Sequence, residues 1–113
     1  TASSAVSSHN NNSGAHSSLF AAKVNKPTNI SGSGSVSITL GDNCIYNYTN
    51  VTSLTINGAD VECMGTVHFS SSFKVNLNGF SKIAGDDPRN GVTSGQTWEF
   101  NCFKNRIIWK NWG

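Results

Sequence analysis

Residues 35–58, SVSITLGDNCIYNYTNVTSLTING, decide the fold class of this chain. Apolar and polar side chains alternate over residues 36–40, and the alternation resumes over residues 44–48 after the turn sequence Gly41-Asp42-Asn43. A β-branched run follows and ends at Asn57-Gly58, a dipeptide typical of tight hairpin turns. Alternation with a period of two between turn sequences predicts β-strands joined as hairpins.

The same alternation continues toward the C-terminus. A polar, irregular loop is expected over residues 85–96, and a turn near Lys104-Asn105 is expected to join the last two strands. About seven or eight short strands at regular spacing predict an all-β fold, either a small antiparallel β-sandwich of jelly-roll type or a small barrel. Inward-facing side chains are predicted at Val61, Cys63, Gly65, Val67, Phe69, Phe73, Val75, Leu77, Trp98, Phe100, Cys102, Ile107 and Trp109.

Residues 1–30 form a polar lead-in to this β region. A short helix, or coil, is expected near residues 17–25, and its apolar stripe needs a surface to pack on, either the β domain or the equivalent helices of sister chains. The segment SGSGS, residues 31–35, is expected to be a flexible joint. We therefore predict a lead-in over residues 1–30, acting in trimerisation or as a linker, and a β-sandwich tip domain over residues 31–113.

Charged residues are scarce in this chain. Lys, Arg, Asp and Glu make up 12% of the residues, against about 25% in ordinary domains, so the predicted surface is polar and largely uncharged. The net charge is +2, and the basic residues are scattered along the sequence, which argues against nucleic acid or an anionic membrane as a partner. No run approaches the roughly 20 apolar residues that a membrane-spanning helix needs, so membrane insertion is not expected.

The three cysteines, Cys44, Cys63 and Cys102, have neither CxxC spacing nor the even number of a disulfide framework. At most one pair can form. Each lies in a strand-like segment beside apolar residues, so we predict free thiols that pack as small hydrophobic side chains. This use of cysteine is typical of a protein that folds in a reducing cytoplasm.

Ionisable residues offer two weak candidate sites. Asp86 and Asp87 are adjacent in the loop and could ligate a cation, but the favoured interpretation is a turn in which a carboxylate pairs with Arg89. His9 and His16 would each occur three times around the axis of a trimer and could then ligate a transition metal. Their alternative role is helix capping or surface hydrogen bonding. No cofactor is predicted.

Enzymatic activity is not expected, because no nucleophile with a base stands out. A glycan-cleaving domain would need two carboxylates across a cleft, roughly 5 to 9.5 Å apart. The candidates for such a pair are Asp60, Glu62, Asp86, Asp87 and Glu99.

Aromatic side chains provide the better candidates for binding. Trp112 lies on the alternate face of the last strand, and Tyr46 and Tyr48 flank Asn47. Exposed rings beside amides and hydroxyls bind sugars or protein partners, although core packing and subunit interfaces are the more frequent uses. The predicted ligand-binding set is Tyr46, Tyr48, Asp86, Asp87, Arg89 and Trp112.

Two stretches of the chain resemble phage proteins. Residues 9–25, HNNNSGAHSSLFAAKVN, resemble a segment that recurs in tail-fibre and tail-associated proteins of bacteriophages and prophages. Residues 40–56, LGDNCIYNYTNVTSLTI, and residues 80–103, FSKIAGDDPRNGVTSGQTWEFNCF, resemble the C-terminal domain of tail and baseplate-associated proteins of phages that infect Gram-positive bacteria. The strand over residues 107–112 is more aromatic than that pattern.

The resemblance implies a non-enzymatic tip domain of a virion tail protein, homotrimeric and assembled in the cytoplasm of the bacterial host. It implies binding to a glycan or protein of the host cell surface. The alternative is a purely structural module that trimerises or caps a fibre, and a glycan-cleaving accessory domain is the third interpretation. Because the sequence opens on Thr1, we expect it to be part of a longer tail protein.

Overall fold

The computed structural model describes residues 26–113, and they form an all-β domain, which confirms the predicted fold class. The helix expected near residues 17–25, together with His9 and His16, lies outside the described residues. Within residues 26–113, no helix has the length and apolar character needed to cross a bilayer.

Seven strands and one short turn of 3₁₀ helix make up the domain. The strands form a single mixed sheet of order β1-β2-β3-β6-β7-β5, and β4 pairs with β2 beside β3. Their bounds are β1 Thr28–Thr39, β2 Cys44–Asn57, β3 Glu62–Phe69, β4 Asn76–Asn78, β5 Lys82–Gly85, β6 Thr97–Phe103 and β7 Arg106–Asn111, with the 3₁₀ turn at Pro88–Asn90.

The first strands run parallel, as successive coils of a solenoid do. β1 pairs with β2 along its whole length, while the first half of β2 pairs with β3 and the second half with β4. Register shifts occur next to Gly34 in β1 and between Tyr48 and Val51 in β2. Gly34 and Asn50 have positive φ angles of 77° and 51°, which bend each long strand. The bend brings the end of one coil back to the start of the next.

These parallel pairings correct the predicted antiparallel strand arrangement, including the hairpins expected at residues 41–43 and 57–58. Flat parallel strands need a crossover of a dozen or more residues, but a strand bent at its middle can return through a short turn. The turns are themselves stacked: Asn43 N–H donates to Glu62 O at 2.7 Å, and Leu40 N–H donates to Asn57 O at 3.0 Å.

The segment SGSGS lies inside β1, which corrects the flexible joint expected at residues 31–35. Ser31 is in register with Asn47, and the Ser35 and Ser53 hydroxyls hydrogen-bond at 2.6 Å. Small residues are needed at this position because the Tyr48 ring covers Gly32, where a Cβ atom would lie 2.9 Å from a ring carbon. The small side chains that make this segment flexible in isolation therefore allow it to pack against β2 and the Tyr48 ring.

The last two strands form the predicted hairpin. β6 is antiparallel to both β3 and β7, and the turn between β6 and β7 has positive φ at Lys104 and Asn105, 48° and 62°. Positive φ at both central residues is the type I′ geometry that matches strand twist. β5 precedes this hairpin in the chain but pairs in parallel with the far side of β7. The hairpin is thus inserted between β3 and β5.

One hydrophobic core fills the inner side of the sheet. Tyr46, Gly65, Phe100 and Trp109 are cross-strand neighbours in one row, and the Phe100 and Trp109 ring centroids lie 4.9 Å apart. Gly65 leaves the space that the Phe100 ring occupies. The predicted inward positions on β6 and β7 are confirmed, since Trp98, Phe100, Cys102, Ile107 and Trp109 are all buried.

Candidate ligand-binding groove

The same alternation that buries one face of the β6–β7 hairpin exposes the other. Three of the exposed large apolar side chains of the described domain belong to this region, namely Phe103 at 55%, Ile108 at 53% and Trp112 at 64% exposure. Met64, on the neighbouring strand β3, is 40% exposed. Apolar side chains grouped on an outer face are typical of an interaction site.

An open groove crosses this outer face over β5, β6 and β7. Its volume is about 430 Å³, within the range of small-molecule sites. We call it the aromatic groove, because the indole of Trp112 is its largest exposed side chain. The residues that line it include Asp86, Glu99, Asn101, Ile108, Lys110 and Trp112.

Trp112 is held in place at three points. Its indole Nε1–H donates to Glu99 Oε2 at 3.0 Å, and its backbone N–H donates to Thr97 O at 3.0 Å. Lys110 Nζ lies 5.7 Å from the ring centroid, a cation–π distance. Glu99 and Lys110 are cross-strand partners, so β-sheet register places both polar groups beside the ring.

Asp86 joins the groove from the end of β5. Its Oδ2 accepts a hydrogen bond from Asn111 N–H at 2.8 Å, and its own N–H donates to Trp109 O at 2.9 Å. Gly85 permits this close approach, because it has φ of 76° and any Cβ there would collide with the Trp109 carbonyl. The Asp86 carboxylate is therefore anchored at the groove and exposed to solvent.

A second groove of about 270 Å³ adjoins the first and shares Asn101 and Ile108 with it. Here Phe103 is the exposed aromatic, and Lys82 and Arg106 are cross-strand partners beside it. Trp112 lies beside Thr97, the first residue of β6, because its N–H donates to the Thr97 carbonyl, and Phe103 is the last residue of β6. At about 3.3 Å per strand residue, the two rings are therefore roughly 20 Å apart. The combined surface suits an extended ligand.

Asp87 and Arg89 pair with each other, as the favoured interpretation of this loop predicted. Although both belong to the predicted ligand-binding set, neither lines the aromatic groove. Asp87 caps the 3₁₀ turn by accepting from Arg89 N–H at 2.9 Å, and its Oδ2 lies 2.6 Å from Arg89 Nη2. These hydrogen bonds lower the pKa of Asp87 and raise that of Arg89. No group of three His, Cys, Asp or Glu residues in the described part of the chain is arranged to hold a metal ion.

The prediction that Tyr46 and Tyr48 expose their rings for binding is wrong, because the two residues are only 2% and 6% exposed. They face inward with Cys44, and their rings stack with centroids 6.0 Å apart. Burial raises the pKa of Tyr46 to about 12, and its hydroxyl accepts from Gly41 N–H at 2.8 Å. Since Cys44, Tyr46 and Tyr48 alternate on one face, burial of the cysteine already implied burial of both tyrosines.

The structure thus brings together two of the predicted ligand-binding residues, Asp86 and Trp112. Sequence reasoning missed Asn101, Ile108 and Lys110 as groove residues and considered Glu99 only as a catalytic candidate. The available signal was their position, since all four occupy the outward-facing places of β6 and β7. Comparisons of the chain with protein-family models, curated protein sequences and solved structures give no match.

Proposed function

We propose that this domain is a non-enzymatic binding domain that holds a glycan in the aromatic groove. The exposed indole of Trp112 carries the proposal, because a fixed aromatic face beside hydrogen-bonding groups matches a sugar ring, which is apolar on its C–H face and polar at its rim. Glu99 and Asp86 offer carboxylate oxygens to sugar hydroxyls, and Asn101 offers both a donor and an acceptor.

We assign this domain to the tail or tail fibre of a phage virion, where it binds a glycan or protein of the host cell surface. The support is the resemblance of residues 9–25, 40–56 and 80–103 to phage tail proteins. In a homotrimer, three copies of the groove would bind one surface together, and linkage would raise the avidity above that of a single groove without new contacts.

The test uses the fluorescence of Trp112, since Trp98 and Trp109 are 4% and 1% exposed and contribute a buried background. The chain is titrated with purified bacterial cell-wall polysaccharide while tryptophan emission and acrylamide quenching are recorded. We expect a saturable blue shift and protection from the quencher. Trp112→Ala lacks the fluorescent reporter, so its affinity and that of the other variants are measured by isothermal titration calorimetry. It should bind about tenfold or more weakly, a loss of at least about 1.4 kcal/mol.

Met64→Ala is the matched control, because Met64 is also exposed and apolar but lies outside the aromatic groove. Trp112→Phe should retain part of the affinity, since it keeps a ring but loses the hydrogen bond to Glu99. Equal binding by the wild type and Trp112→Ala would contradict the proposed site.

Glycan cleavage is the enzymatic alternative, because Asp86 and Glu99 share one groove. Both carboxylates already accept N–H hydrogen bonds, from Asn111 and Trp112 respectively, which favours binding over proton donation to a glycosidic oxygen. Reducing ends released from the polysaccharide by the wild type, and not by Asp86→Asn/Glu99→Gln, would overturn the non-enzymatic assignment.

A subunit contact is the second candidate use of this face. Met64, Asn101 and Ile108 are cross-strand neighbours on the outer face, and two of them are exposed and apolar. Light scattering on the full chain distinguishes the two uses. A trimer in which Trp112 is protected from acrylamide without any ligand would favour the structural role.

A further inference from the structure

We propose that Cys63 and Cys102 form a cross-strand disulfide when a small disulfide such as oxidised glutathione reaches the folded domain, while Cys44 remains a thiol. The three cysteines lie in one row on adjacent strands: Cys44 is in register with Cys63, and Cys63 is in register with Cys102. All three are free thiols in the structure. This site is independent of the aromatic groove.

The register limits which thiols can pair. Neighbouring strands lie about 4.8 Å apart, so Cys44 and Cys102, two strand spacings apart, are separated by about 10 Å. A disulfide requires Cα atoms within about 6.8 Å of each other. Cys44 and Cys102 therefore cannot pair, and both remaining pairings use Cys63. The domain can form a single disulfide only.

Two observations favour Cys102 over Cys44 as the partner of Cys63. Cys44 Sγ–H already donates to Asp42 O at 3.4 Å, toward the turn before β2. In addition, Lys104 N–H donates to Val61 O. Because pairs alternate along an antiparallel ladder, this bond makes Cys63 and Cys102 a hydrogen-bonded pair, with Cα atoms about 5.5 Å apart. That separation is the commonest one for disulfides.

The row is accessible from one side. The three cysteines line a groove of about 340 Å³ that also includes Glu62 and Phe103. Cys63 is half-buried, while Cys44 and Cys102 are buried, so a reagent in the groove reaches Cys63 first.

The reaction is an ordinary thiol–disulfide exchange in two steps. The Cys63 thiolate attacks one sulfur of oxidised glutathione, its S–S bond breaks, and glutathione leaves as a thiolate that takes up a proton. The Cys102 thiolate then attacks the Cys63 sulfur and displaces the second glutathione. Two protein thiols are oxidised, and one glutathione disulfide is reduced to two thiols.

Burial makes this exchange slow at neutral pH. Burial is the largest of the causes that together raise the pKa of Cys63 to about 12; the others include Cys102, Cys44 and Asp42, each of which is negative when ionised. Cys63 in turn raises the pKa of Tyr46, because the two groups repel each other when both are ionised. The thiolate fraction, and with it the exchange rate, should increase with pH up to about the pKa of Cys63.

The experiment oxidises the folded, full chain with oxidised glutathione at pH 7 and pH 8.5, followed by alkylation, proteolysis and mass spectrometry. We expect one linked peptide pair, Cys63 with Cys102, with Cys44 alkylated and a faster reaction at pH 8.5. Cys44→Ala should form the same bond, and Cys102→Ala should accumulate glutathione on Cys63. Urea-unfolded chain, oxidised in parallel, should give mixed pairings.

Three results would overturn the proposal. They are a dominant Cys44–Cys63 link in the folded wild type, glutathione that stays on Cys63 although Cys102 is present, and three alkylated cysteines after prolonged oxidation at pH 8.5. Urea unfolding of each variant checks that it is folded before oxidation. The linked wild type should also unfold at a higher urea concentration than the reduced chain, and dithiothreitol should reverse the shift.

Discussion

Replacing Gly65 with Ala would place a methyl group where the Phe100 ring already lies. Gly65 is buried on β3, and a Cβ atom there would collide with two carbons of the Phe100 ring and approach Tyr46 Cβ to 3.0 Å. Phe100 cannot move aside easily, because its centroid lies 4.9 Å from that of Trp109 and 6.2 Å from that of Tyr46. The substitution therefore overpacks the centre of the aromatic row.

Overpacking a core costs about 1–3 kcal/mol, and a site enclosed by three rings should lie in the upper half of this range. Gly→Ala also lowers the entropy of the unfolded chain, which offsets about 0.4–1 kcal/mol. The net loss in the free energy of unfolding is then about 1–2.6 kcal/mol. This is a sizeable share of the 5–15 kcal/mol that is typical of natural domains.

Urea unfolding followed by circular dichroism measures this loss. Thr66→Ala is the control, because Thr66 neighbours Gly65 on β3 but is exposed, and we expect a change within about 0.5 kcal/mol. Phe100→Leu removes the outer ring carbons that the new methyl would meet. In the double variant, the Gly65→Ala penalty should shrink by about 1 kcal/mol. A Gly65→Ala variant as stable as the wild type, or a penalty unchanged by Phe100→Leu, would refute the steric reasoning.

Three further predictions concern pH, a cap and the exposed indole. Burial raises the folded-state pKa of Tyr46 and of Cys63 to about 12, from unfolded values of 10.0 and 9.0, so the folded state favours the protonated groups. Their contribution to the free energy of unfolding is full below pH 9 and is lost as pH rises toward 12. Thermal melts between pH 9 and 12 should therefore show falling melting temperatures. Asp87→Ala should lower the free energy of unfolding by about 1 kcal/mol, because the 3₁₀ turn loses its cap. In the wild type the pKa of Asp87 is lowered in the folded state, so the stabilisation from this carboxylate should be lost as pH falls below 3.8, which an acid titration measures. Trp112→Ala should remove the quencher-accessible emission and change urea stability by no more than about 0.5 kcal/mol.

The side-chain pattern allowed the faces of the strands to be predicted. A period of two in the sequence assigned Phe100 and Trp109 to the interior, and the turn residues Lys104 and Asn105 marked the hairpin between β6 and β7. The pairing of Asp87 with Arg89 was also predictable, because the two residues are only two positions apart in the loop. Each of these features depends on residues close together in the chain.

The candidate groove could be predicted only in part. Trp112 and Asp86 were identified from residue type, because an exposed indole and a loop carboxylate are chemically conspicuous. Their proximity to Glu99 depends on β5 pairing with β7, which no local pattern encodes. The tyrosines were misassigned because residue type was weighed above the strand face they share with Cys44.

By itself, the sequence determined that this chain forms β-strands, which side chains face inward, and where the last hairpin turns. Only the tertiary structure decided that the first coils run parallel, that the β6–β7 hairpin is inserted between β3 and β5, and that three cysteines form one row. The physical reason is that alternation along a strand is the same for parallel and antiparallel partners. Strand direction and neighbours are set by contacts between residues far apart in the chain, where packing of the whole core selects among the possible pairings.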